Sequence, residues 1–154
     1  MVFKNFKIWR GRLPHWRADD VRYYVTFRSR RDLTADECAI LLKHLLRPEG
    51  RQWDLLIACV LPGQTELIFT VREKVEGQPY ELAEIVERAK HKAGKQIIKK
   101  TEERFSPFYT ESYDRIIRDD AELEERWQTI LDSPVTAELV QESDEWEGLY
   151  VQNA

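Results

Sequence analysis

Hydrophobic and polar positions along the chain change period several times, and each change predicts an element. Arg22-Tyr23-Tyr24-Val25-Thr26-Phe27-Arg28 alternates, with Tyr23, Val25 and Phe27 on one face, which predicts a strand. Thr34, followed by Asp36 and Glu37, then Ala39, Ile40, Leu41, Leu45 and Leu46, predicts a capped helix that stops before Pro48-Glu49-Gly50. Gln52 to Val60 is largely apolar and predicts a central strand. Pro62-Gly63 turns it into a third strand, Gln64 to Val71. There Thr65, Leu67, Phe69 and Val71 share one face, and Gln64, Glu66, Ile68 and Thr70 share the other.

The second half repeats the theme. Leu82, Ile85, Val86, Ala89, Ala93 and Ile97 form an apolar stripe, which predicts a long helix over 80–101. Ser112 to Arg118 reads as a fourth strand, and Asp119-Asp120 opens a helix to about Leu131. Pro134 is expected to begin a last short helix with Ala137, Leu139 and Val140. The order strand–helix–strand–strand–helix–strand predicts an α+β domain, a ferredoxin-like antiparallel sheet (βαββαβ) with additional C-terminal helices. The expected divisions are a basic N-terminal arm over 1–20, the domain over 21–141 and an acidic C-terminal tail over 142–154.

Composition narrows the class. A chain of 154 residues with 42% hydrophobic and 11% aromatic side chains can bury one core, and its 34% charged fraction predicts a well-solvated surface. No apolar run approaches the roughly 20 residues that span a bilayer, and Met1-Val2-Phe3-Lys4 lacks the apolar core of a signal peptide. Cys38 and Cys59, far apart, read as buried thiols in a reducing compartment, so a cytoplasmic protein is expected. The net charge of −4 conceals a gradient. Residues 1–31 carry nine basic side chains against Asp19 and Asp20, whereas residues 119–154 carry eleven acids and one base, Arg126. Such a gradient fits a polyanion-binding end, or charges that only solvate the surface.

Several segments carry a resemblance. Arg12-Leu13-Pro14-His15-Trp16 precedes the first strand, and Val60-Leu61-Pro62 leads into the third. Ala89-Lys90-His91-Lys92-Ala93-Gly94 lies on the long helix, followed by Tyr113-Asp114-Arg115-Ile116-Ile117-Arg118-Asp119 and Ser133-Pro134-Val135-Thr136-Ala137-Glu138-Leu139-Val140. In this order and spacing the chain resembles the REP-associated tyrosine transposases, within the single-tyrosine HUH superfamily. The resemblance implies the same βαββαβ core, DNA transposition through a 5′-phosphotyrosine intermediate, and a homodimer. It also implies a Mg²⁺ or Mn²⁺ ion held by two histidines and a third side chain from the tyrosine helix.

At the matching positions the chemistry differs. Gln64 and Glu66 stand where the family has its two histidines, and Thr129 stands at the nucleophilic tyrosine. Ser133, four residues further along the helix, is a weak third ligand. A threonine hydroxyl is far more basic than a phenol with a pKa of about 10, and its side chain is shorter. A catalytically inactive protein with no cofactor is therefore expected, with Mg²⁺ or Mn²⁺ relevant only if Glu66 supports a residual oxygen site. Gln64 and Glu66 suit a half-exposed sheet face equally well.

Loss of cleavage does not require loss of DNA binding. Single-stranded or hairpin DNA is the expected partner, held by phosphate contacts and base stacking. The candidate contacts are Arg10, Arg12, His15, Trp16 and Arg17 in the arm, Lys90, Lys92 and Lys95 on the long helix, and Arg115 and Arg118 on the fourth strand. A solvated face for the helix lysines and a packing role for Trp16 compete with that reading. Two other functions stay open: a metal-dependent strand-transfer enzyme rebuilt on Glu66 and a surrogate Tyr109 or Tyr113, and a protein-interaction module using the acidic C-terminal helices. His15, His44 and His91 show no ligand spacing, and ordinary surface histidines are expected.

Overall fold

The computed structural model describes residues 21–152. Its elements are β1 (Arg22–Arg28), α1 (Ala35–Leu46), β2 (Trp53–Val60), β3 (Gln64–Val71), β4 (Glu73–Val75), β5 (Gln78–Pro79), α2 (Leu82–Thr101), β6 (Tyr113–Ile116), α3 (Asp120–Thr136) and β7 (Leu149–Val151), with a 3-10 turn at Ser143–Glu145. The main sheet runs β6-β1-β3-β2-β7, and every pairing in it is antiparallel. Its first four strands have the ferredoxin-like order that the sequence periodicity predicts.

Two apolar clusters cover the two sheet faces. Val25, Phe27, Val60, Leu67 and Phe69 pack with Leu41 and Leu45 of α1 and Ile85, Val86, Ala89 and Ile97 of α2. Tyr24, Leu56, Ile57, Cys59 and Ile68 pack with Leu123, Trp127, Ile130 and Leu131 of α3. Fully burying each large aliphatic or aromatic side chain contributes about 1.5–3 kcal/mol, so α3 is anchored firmly although it touches only one face. A register shift between Leu55 and Ile57 turns Leu55 toward α1 and α2, and both Leu56 and Ile57 toward α3.

Local sequence explains the helix ends. Thr34 accepts from the Glu37 backbone N–H while Glu37 accepts from the Thr34 N–H, a reciprocal cap for α1. Asp119 caps α3 by accepting from the Glu122 N–H at 2.8 Å.

Two expectations at the C-terminus are corrected. Pro134 does not open a separate helix; it lies inside α3, which runs on to Thr136. The stretch after Glu142 is not a free acidic tail. Its strand β7 pairs with β2, and Trp146 Nε1 donates to the Val60 carbonyl at 2.8 Å. Gly148 makes this docking possible, because a Cβ there would collide with the Val60 carbonyl and the Trp146 ring. The β7 pairing is also why β2 is apolar at every position but Asp54: it is an interior strand with both faces covered. The small β4–β5 hairpin, turning at Gly77 with φ +80, was not anticipated.

Cys38 and Cys59 are buried free thiols, and burial pushes both up to about 12, which keeps them as inert thiols. No described helix is long and apolar enough to cross a membrane.

Candidate nucleic-acid interface

Strand register brings the α3-facing side chains into rows. Thr26 pairs with Glu66 on one side and with Tyr113 on the other, so these three share a row and a face. Tyr24 pairs with Ile68 and with Arg115, giving the next row. Where α3 overhangs these rows a cleft of about 580 Å³ opens, lined by Tyr24, Glu66, Arg115, Glu122, Arg126 and Thr129 among others.

Glu66 and Thr129 therefore line one cleft. Gln64 does not join them, for it stands exposed at the start of β3 and lies outside the lining. The Tyr24 hydroxyl, diagonal to Glu66 across β1 and β3, donates to Glu66 Oε2 at 2.5 Å. Burial raises the Tyr24 phenol well above its ordinary value, and the bond to Glu66 adds to the effect, so the ring stays neutral. The Arg126 guanidinium lies 4.4 Å from the Tyr24 ring centroid and covers the pair.

The helix-borne candidates are engaged in their own backbone. Thr129 Oγ1 donates to the Glu125 carbonyl at 3.0 Å, and Ser133 Oγ donates to the Ile130 carbonyl at 2.7 Å, with Cys59 Sγ 3.4 Å away. A hard divalent cation takes about six oxygen ligands, several of them anionic. One carboxylate already held by a phenol, with two hydroxyls turned to their own helix, does not fit that cage. Among the described residues no group of three or more His, Cys, Asp or Glu side chains is placed to hold a metal ion.

Charge at the cleft mouth is internally matched. Glu122 accepts from Arg115 at 2.7 Å and from Arg126 at 3.1 Å, and it lies 3.9 Å from Arg118. The Arg118 backbone N–H, also bonded to Glu122, holds this carboxyl below the usual carboxylate range, and the guanidinium groups reinforce it. Arg115 keeps one buried donor, Nε, without a partner among the described residues.

The chain from Glu102 into the first residue of β6 presents aromatic rings. Phe105, Tyr109 and Tyr113 are 63%, 40% and 57% exposed. Arg30 lies 5.8 Å from the Phe105 ring and 5.3 Å from the Tyr109 ring, and Arg104 lies 5.8 Å from Phe105. The Arg30 N–H donates to the Pro107 carbonyl at 2.6 Å, which ties this loop to the end of β1.

The remaining candidates divide. Lys92 and Lys95 are exposed on α2. Lys90 is not available to a phosphate: it is 3% exposed, it donates to the Thr110 and Glu111 carbonyls and to Ser112, and it lies 4.8 Å from the Phe27 ring. It is a buried strut that fixes the approach to β6. Arg10, Arg12, His15, Trp16 and Arg17 lie outside the described residues. Sequence reasoning missed Tyr24, Glu122 and Arg126 as parts of the cleft. A signal existed for Arg126, the lone base in an acidic stretch, whereas Tyr24 is singled out only by strand register.

No family model matches the sequence, and no curated protein matches it. Among solved structures, a REP-associated tyrosine transposase bound to a REP hairpin superposes with a TM-score of 0.58 at 14% identity, over 87% of this chain and 80% of that one. A protein from Deinococcus radiodurans R1 described as a candidate transposase superposes with a TM-score of 0.50 at 9% identity, over 76% of this chain and 94% of that one. Sheet order, helix placement and these superpositions agree: the chain has the fold of the REP-associated tyrosine transposases.

Proposed function

We propose that this protein binds single-stranded or hairpin DNA without cutting it, on the sheet face beneath α3 and the aromatic loop. The observation that carries the reading is the exposed set Phe105, Tyr109 and Tyr113 interleaved with Arg30 and Arg104. Exposed rings stack unpaired bases and guanidinium groups hold the intervening phosphates, a combination suited to unpaired strands rather than to duplex. The spare Nε donor of Arg115 adds a polar contact at the cleft wall. The superposable transposase is itself bound to a REP hairpin.

The chemistry of the cleft supports the inactive reading. A phenol raised by burial is a poor source of phenolate, and the Thr129 hydroxyl is turned to the carbonyl of its own helix. Glu66 serves as the acceptor for Tyr24 and is not a free ligand. The test is fluorescence anisotropy on labelled single-stranded, hairpin and duplex DNA across a salt series, with and without Mn²⁺. The expected result is preference for unpaired or hairpin DNA with no metal dependence. Equal affinity for duplex, or a covalent protein–DNA adduct in the presence of Mn²⁺, overturns the reading.

A further inference from the structure

A second concavity lies on the opposite side of the molecule, between the end of α1, the loop that follows it and the middle of α2. Its volume is about 250 Å³, room for roughly eight waters at about 30 Å³ each. Arg47, Arg51, Arg88 and Lys92 border it, and no carboxylate does. None of the four forms an ion pair with a described residue; Arg51 makes a hydrogen bond to the Arg47 carbonyl at 2.9 Å. Arg47 with Arg51, and Arg88 with Lys92, are each four positions apart in sequence. On α2 that spacing sets two like charges side by side, an arrangement that weakens an isolated helix.

Bases after a helix C-terminus are ordinary partners of its carbonyls, which accounts for Arg47 and Arg51. It does not account for Arg88 and Lys92, which lie mid-helix on α2 and line the same space. The inner wall contains an independent sign of an unfinished site. His44 was expected at the surface, but it is 7% exposed, with Nε2 bonded to Gln96 Oε1 at 2.9 Å and Nδ1 buried without a partner. An orphaned ring nitrogen in a folded wall is uncommon and is normally completed by water or a ligand. The loop itself is fixed, since the Arg51 and Gln52 N–H groups both donate to the Pro48 carbonyl.

We propose that this α1–α2 cleft is a phosphate-binding site, distinct from the aromatic face and independent of the DNA reading given above. Arg47, Arg51 and Arg88 supply planar paired donors for phosphate oxygens, and Lys92 supplies a point charge. The phosphate comes either from a free anion or from a nucleic-acid strand, and the two sources are separable by experiment.

Isothermal titration of the full chain with inorganic phosphate, at ionic strength held constant with sodium chloride, is expected to give saturable one-site binding. The double variant R88Q/K92Q is expected to weaken it at least about tenfold (1.4 kcal/mol per decade). K99Q/K100Q, which removes two exposed lysines at the far end of the same helix, is expected to leave it unchanged. No phosphate binding beyond the chloride baseline overturns the proposal, as does a phosphate response that survives R88Q/K92Q. A parallel anisotropy titration with a labelled single-stranded oligonucleotide assigns the source. Tenfold weaker oligonucleotide binding by R88Q/K92Q identifies a strand phosphate, and unchanged binding identifies a free anion. Because the phosphate arm needs no DNA, its outcome is separate from that of the DNA-binding reading.

Discussion

The two clefts of this protein use similar side chains in opposite ways. Under α3, Arg115, Arg118 and Arg126 gather around Glu122, and Glu66 is closed off by Tyr24. Between α1 and α2, Arg47, Arg51, Arg88 and Lys92 gather around nothing acidic. Cations clustered with a carboxylate form a structural network that competes with any outside ligand. Cations clustered without one leave their binding capacity unspent. Position in a cleft therefore says little until the internal counter-ions are counted. The cleft under α3 reads as structural by that measure, and the cleft between α1 and α2 reads as open.

The sharpest way to break this contrast acts on the exposed aromatic rings. F105A and Y109A should each reduce single-strand affinity by about 1–3 kcal/mol, roughly five- to 150-fold, as expected for a lost stacking contact. Isothermal titration should show no matching loss of inorganic phosphate binding, because the two sites lie apart. Next in size is E122Q. Weakening the shared acceptor of three arginines and of the Arg118 N–H should lower stability by about 1.5–3 kcal/mol in urea unfolding, the range for hydrogen bonds to a charged group. The freed guanidinium groups should also steepen the salt dependence of single-strand binding by about 0.7 in log–log slope for each new phosphate contact. A flat slope in E122Q would mean that the arginines under α3 never reach DNA.

Y24F is the third. Removing the hydroxyl leaves Glu66 without that donor and should lower stability by about 1–2 kcal/mol, read from the urea midpoint. It should not produce Mn²⁺ binding, since one carboxylate remains the sole strong ligand. Mn²⁺ binding by Y24F in an electron paramagnetic resonance titration would revive the enzyme reading.

The smallest effect concerns acid stability in a third network, Arg31 with Glu37 and Glu103. Arg31 holds the Glu103 carboxyl down to about 2 from an ordinary 4.5, and it also lowers Glu37. A depressed folded value means that this contribution is complete above about pH 4.5 and is lost as pH falls toward 2. In R31Q the unfolding free energy should vary less over that window, measured by urea titrations at several pH values. An unchanged pH profile would show that the exposed pair contributes nothing measurable.

Much of the scaffold was legible from local patterns. Alternation in Tyr23, Val25 and Phe27, the Thr34–Glu37 cap and the stripe from Leu82 to Ile97 each specify an element without reference to the rest of the chain. The placement of Glu66 on the α3 face was legible too, because strand side chains alternate strictly. Lys90 was misread because its neighbours Lys92 and Lys95 are solvated, and only the packing of the 110–112 segment against α2 buries it. His44 was misread for the same reason, as it lies on the α1 side that faces Gln96 of α2. Three residues at the C-terminus became a strand because β2 offered an unpaired edge, a fact about the partner rather than about Leu149–Val151.

The sequence by itself determined the order of helices and strands, the antiparallel core and the identities of Gln64, Glu66 and Thr129. These follow from periodicity and side-chain identity, which are local properties. Tertiary structure decided which polar groups consume one another. That Glu66 is bonded to Tyr24 and that Arg88 and Lys92 share a concavity with Arg47 and Arg51 depend on registers and packing between segments far apart in the chain. Electrostatic partnership is a matter of distance and burial, and neither is written in any single stretch of sequence.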